Sequence, residues 1–177
     1  MSVPFAERSR SRRLRAELPK VEAEPTARRA YRAMLDGQIA PVLESWGLTR
    51  EDDAFAYPSS VWHLGVGFAP LAWGTVGSLR FDVHVLAVPR EAWAQWREAE
   101  PALPDAPDPT IYWPQDVAAV GGLRARLREM LGDGTDVKWA VRADEDPTRL
   151  AAEILAGVQR HVLPAFAGRS EVPRLAS

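Results

Sequence analysis

The residues best able to do chemistry lie in two stretches of alternating character. In residues 61–68, Trp62, Leu64, Val66 and Phe68 alternate with Val61, His63, Gly65 and Gly67; in residues 79–88, Leu79, Phe81, Val83, Val85 and Ala87 alternate with Arg80, Asp82 and His84. Period-two alternation marks strands with one face on a core and the other carrying the polar set. If the connection over residues 69–78 turns at its midpoint, Phe68 faces Leu79, Val66 faces Phe81, His63 stands opposite His84 and Gly65 opposite Asp82. Two facing imidazoles and a carboxylate could then supply facial metal ligands, or a general base with an orienting acid. An ordinary polar sheet face produces the same pattern, and a cross-strand pair there contributes only about 0.2–1 kcal/mol. With no further ligand evident, no catalytic residue, bound metal or cofactor is assigned. His63, Asp82 and His84 stand as candidate metal ligands, and with Arg80 as candidate binding residues. Trp73, in the Gly- and Pro-containing connection, is a candidate interface anchor, or an indole folded back over the sheet end.

Helices must hold this pair of strands. Thr26 suits an N-cap for a helix over residues 26–46 whose stripe is Ala27, Tyr31, Met34/Leu35, Ile39, Val42/Leu43 and Trp46. Pro41 cannot donate to the Gly37 carbonyl, which predicts a kink or break. A short strand over residues 54–57 follows. Pro89 opens a helix carrying Trp93 and Trp96, and Pro101, Pro104, Pro107, Pro109 and Pro114 make an extended crossing. Asp116 suits the cap of a helix to Leu131, weakened by Gly121 and Gly122. Residues 137–142 alternate as a strand, and residues 147–167 carry a closing helical stripe. Leu86 and Val88 break the alternation, which predicts cover on both faces at that end. Gly65 and Gly67 within a strand predict close approach of another backbone or a ligand. The expected fold class is α+β: an antiparallel sheet of about four strands with the N-terminal helix, the helix after the hairpin and the C-terminal helices on one face.

Composition narrows the function. The 177 residues, 46% hydrophobic and 26% charged, suit one domain with tails: a basic, then Pro- and Glu-rich arm over residues 1–25, a domain over 26–168, and a tail over 169–177. A net charge of −2 gives no global pull toward nucleic acid or anionic membrane. Lys20 and Lys138 are the only lysines among 22 basic residues; with abundant Ala and Pro, this suggests a GC-rich bacterial genome. The absence of cysteine removes disulfides, thiolate nucleophiles and cysteine-ligated metals. The arginines near the start lack a following apolar stretch, and no window is long enough to span a membrane, so a cytoplasmic protein is expected. Beyond Phe5 the arm lacks aromatics among its arginines, which gives base stacking little support and disfavours a nucleic-acid partner. Glycine-rich phosphate loops and the Gly-x-Ser-x-Gly elbow are missing.

A helix followed by "ESWGL" (44–48), a strand ending "FAY" (55–57), the strands "VWHLGV" and "LRFDVHV", a "KWAV" strand (138–141) and a closing helix ending "VLPAF" (162–166) form one order. This order resembles the bacterial domain-of-unknown-function family 4304 (DUF4304) over about residues 26–168. Gly47-Leu48 stands where that family has Gly-Phe, and His84 where it has asparagine. The resemblance implies a fold and carries no activity.

The expectation is therefore a binding or protein-interaction module without catalysis, of accessory or immunity type, with an unknown protein partner. A small metal-assisted or acid–base enzyme centred on His63, Asp82 and His84 is the alternative.

Overall fold

The computed structural model describes residues 26–72, 74–133 and 138–170; the expected arm, Trp73 and the tail beyond residue 170 lie outside them. Thr26 caps α1 (Ala27–Met34), its Oγ1 accepting from the Arg29 amide at 3.2 Å. The chain then passes through a π turn (Leu35–Ile39) into α2 (Ala40–Ser45). The break expected at Pro41 is absorbed here: the Ala40 N–H reaches back five residues to the Leu35 carbonyl, and the helix continues. The same device recurs near the other end. There α5 (Thr148–Gly157) runs through a π turn (Val158–Val162), closed by the Leu163 N–H on the Val158 carbonyl, into α6 (Leu163–Ser170). Pro164 sits in it as Pro41 sits in the first.

Among the described residues the antiparallel sheet has six strands, two more than expected: β1 (Thr49–Glu51), β2 (Ala54–Tyr57), β3 (Trp62–Pro70), β4 (Ser78–Pro89), β5 (Leu123–Arg126) and β6 (Trp139–Arg142). The order is β1-β2-β3-β4, and β5 and β6 lie end to end along the far side of β4, against its residues 84–87 and 78–81. The fold is α+β.

The β3–β4 register differs by four residues from the midpoint expectation. Phe68 pairs with Val83, Val66 with Val85 and Leu64 with Ala87; His63 pairs with Val88, and His84 with Gly67. The cause is an asymmetric connection. The Leu71 amide still bonds the Arg80 carbonyl, and the reversal is a tight turn closed between Thr75 and Ser78 at 2.8 Å. Because the shift is even, every side chain keeps its face.

On the first face, Leu64, Val66, Phe68, Phe81, Val83 and Val85 pack with Trp139 and Val141 against Tyr31, Met34, Leu35, Ile39 and Leu43 from the first helix and Ile154, Val158, Val162 and Phe166 from the last. Phe81 meets Tyr31 edge-on with centroids 5.2 Å apart. The second face is covered too, which corrects the one-sided arrangement. There α3 (Arg90–Ala99) and the segment after it build a smaller core from Leu86, Val88, Trp93, Leu103 and Val117. The double cover expected at Leu86 and Val88 is present.

The helix expected over residues 116–131 is also corrected. Asp116 does cap, its carboxylate accepting from the Ala119 amide at 3.1 Å, but only one 3-10 turn follows (Ala118–Val120). Gly121 takes φ +73, and Gly122 packs so closely that a Cβ would lie 2.5 Å from the Ala87 carbonyl oxygen. This corner turns the chain into β5, leaving a helix of one turn, α4 (Leu127–Met130).

Candidate functional site

The second sheet face carries the second-face residues of β1–β4: Glu51, Ala54, Ala56, His63, Gly65, Gly67, Arg80, Asp82, His84 and their neighbours. Part of it is roofed by the Pro-rich crossing over residues 101–114, here called the strap, of which residues 106–110 line the roof. Pro107 and Pro109 are buried. Gly67 is the reason the strap can sit so low: a Cβ there would fall 2.5 Å from the Thr110 nitrogen and 2.6 Å from the Pro109 carbonyl carbon. Gly65 is looser, its nearest neighbour being Pro109 Cγ at 3.1 Å. The close backbone approach predicted for these glycines is thus realised by the chain itself.

Indoles and a histidine pin the strap. Trp93 Nε1 donates to the Pro104 carbonyl at 3.0 Å and Trp113 Nε1 to the Asp108 carbonyl at 2.8 Å. The Asp108 carboxylate accepts from the Thr110 amide and hydroxyl at 2.8 and 2.7 Å. His84 donates from Nδ1 to the Pro109 carbonyl at 3.2 Å. Trp113 also packs edge-on against Trp93, with centroids 5.2 Å apart, at the margin of the second core.

The expected His63–Asp82–His84 constellation divides. Asp82 is buried, 4% exposed, where β5 ends and β6 has not yet begun. Lys138 Nζ donates to Asp82 Oδ2 at 3.0 Å, Arg126 Nε lies 3.5 Å away, and His84 Nε2 3.9 Å. Burial lowers the His84 pKa, opposed by the Asp82 charge and the Pro109 hydrogen bond. Arg126 and Lys138 were not read from the sequence as part of this group; the Trp139–Phe81 register, continued by one residue, is what brings Lys138 to Asp82. Arg80 is exposed and lies beside this group on β4. Among the described residues, no three His, Asp or Glu side chains converge as a metal-binding set.

His63 stands apart, four strand positions from the residue that pairs with His84. It lies edge-on to Trp93 with centroids 6.5 Å apart. Burial, assisted by the Arg90 charge, lowers its pKa to about 4, so it is neutral at pH 7. His63 and Arg90 line one end of a cleft of about 610 Å³. Ala54, Ala56 and Gly65 contribute to its floor, Pro107, Asp108 and Pro109 to its roof, and Glu51, Asp52 and Asp53 to its hairpin end. At that end Asp53 pairs with Arg32, and Asp52 holds a left-handed φ of +51 in the turn between β1 and β2. Arg90 was legible only as a helix start; the signal for its role is the pairing that sets Pro89 opposite Trp62, next to His63.

The chain matches no protein-family model, no curated protein and no solved structure. No helix among the described residues is long and apolar enough to cross a membrane.

Proposed function

We propose that this chain is a non-enzymatic binding module that receives a polar group of its partner in the cleft between the strap and the β1–β3 face. One observation carries the reading: the strap seated on Gly67 turns an open sheet face into a walled cleft, with charged side chains at both ends and small residues between. A pocket with a few placed polar groups is the usual form of a binding site. The catalytic alternative has less support as a two-histidine site, since His63 pairs with Val88 and His84 with Gly67. An imidazole with a pKa near 4 is also too weak a base to suit proton transfer near neutrality. A protein partner, an accessory or immunity-type role and a cytoplasmic setting belong to this proposal, as does kinship with the DUF4304 family, which bears on fold alone.

The test is a thermal-shift screen of charged small molecules and short peptides against the native chain and Ala56→Trp. Ala56 is exposed on the cleft floor, so an indole there fills space without entering the core. A ligand at ten times its Kd stabilises by about 1.4 kcal/mol, or about 3–6 °C here. Ligands that stabilise the native chain and not Ala56→Trp are expected; a screen in which every ligand acts equally on both, or none acts, contradicts the proposal.

A further inference from the structure

The cleft has two unlike ends. At one, Arg90 fixes its guanidinium by donating from Nε and Nη2 to the Ser59 carbonyl at 3.2 and 3.0 Å, leaving Nη1 without a partner among the described residues. His63 beside it likewise has no hydrogen-bond partner among the described residues. At the other end, Asp53 is balanced by Arg32, while Glu51 and Asp52 are exposed and Asp108 overhangs from the strap. His63 and Gly67, which pairs with Ala54 beside the acidic turn, are four strand residues apart, about 13 Å. Side chains reaching inward from both ends shorten that span. Between them the open floor is Ala56, since Pro109 of the strap closes over its buried neighbour Gly65, and an aliphatic stem lying flat there runs along the Pro109 wall.

On the reading that this cleft is the binding site, we propose that its ligand is a basic residue bearing a free carboxylate. The carboxylate is held by Arg90 and His63, and the cationic side chain reaches toward Glu51 and Asp52. A fixed guanidinium favours carboxylate by charge-assisted hydrogen bonding, and a neutral imidazole adds one N–H donor. The two sources of this chemistry are a free basic amino acid and the C-terminal residue of a protein partner.

Imidazole NMR on the full chain tests it, because His63, His84 and His161 are the only histidines. Four probes are titrated at pH 7 and low salt: L-arginine, N-acetyl-Gly-Gly-Arg, its C-terminal amide, and agmatine. The His63 signal is expected to shift saturably with one or both acids, and at least tenfold more weakly with the amide and agmatine. Response to the peptide acid alone assigns the ligand to a protein C-terminus; response to free arginine alone assigns it to the amino acid. Arg90→Gln is expected to weaken binding about tenfold or more, with Arg90→Lys, which keeps the charge, in between. Glu51→Gln with Asp52→Asn is expected to weaken it by a few-fold, an effect erased by salt; Asn tolerates the left-handed φ at position 52. Equal response to acid and amide, or no His63 shift with any probe, overturns the inference. If other ligands are still blocked by Ala56→Trp, the cleft stands as the binding site and only this ligand chemistry falls.

Discussion

Gly67 and Thr110 approach so closely that a single added carbon on Gly67 would sit 2.5 Å from the Thr110 nitrogen. The obstruction is backbone, which cannot rotate away, and the same backbone holds the His84 and Trp113 hydrogen bonds. Gly67→Ala is therefore expected to destabilise by about 1–3 kcal/mol, the usual range for overpacking. Gly65→Ala meets only the edge of a proline ring and should cost less than about 1 kcal/mol. Urea unfolding of the two variants checks this; equal losses would show that the strap does not rest on Gly67.

Asp82 and Lys138 form a contact at the gap between β5 and β6, where Asp82 and Val83 of β4 have no strand partner on that side. Asp82 is buried, and removing its nearest donor leaves a carboxylate without adequate compensation. Lys138→Ala is expected to cost about 1–3 kcal/mol. In a cycle with Asp82→Ala the coupling should reach about 1 kcal/mol or more, because both changes remove one interaction. Strict additivity would mean that Arg126 and His84 hold Asp82 without the lysine.

The two depressed histidines predict a pH dependence. Each binds its proton more weakly folded than unfolded, so neither affects stability above the ordinary histidine pKa near 6.5. As pH falls below that value the unfolded chain takes up protons first, and stability declines. For His63 the decline runs to about pH 4, where the folded state also protonates. Unfolding free energies between pH 7 and 4 should fall less steeply for His63→Gln than for the native chain, and the His63 proton signal should titrate near pH 4. A midpoint near 6.5 would place His63 in water, outside any desolvated cleft.

Much of the fold follows from local pattern. Alternation along β3 and β4 assigns each side chain to its face, and the apolar stripe from Tyr31 to Leu43 identifies the first helix despite Pro41. The register was not legible, since it depends on a turn at Thr75–Ser78 that lies off the midpoint of its connection. β5 was hidden because Leu123, Leu127 and Leu131 also fit a helical repeat; the positive φ of Gly121 and the crowding at Gly122 decide otherwise. Of the candidate site, the histidines and the purpose of Gly65 and Gly67 could be read directly. The cleft could not, because Arg90, Ala56 and Asp108 come from separate elements, and only the long-range pairing of β3 with β4 and the strap unites them.

The cleft and the outer surface of the strap can be told apart as places to hold a partner. Tyr112 is 72% exposed, with Arg124 stacked 4.3 Å from its ring, and it does not line the cleft. The decisive measurement is calorimetric titration of the tightest ligand from the screen into the native chain, Ala56→Trp and Tyr112→Ala. At least tenfold weaker binding to Ala56→Trp, with Tyr112→Ala unchanged, is the predicted result. Binding that survives Ala56→Trp and is lost in Tyr112→Ala would contradict the account and move the site to the outside of the strap.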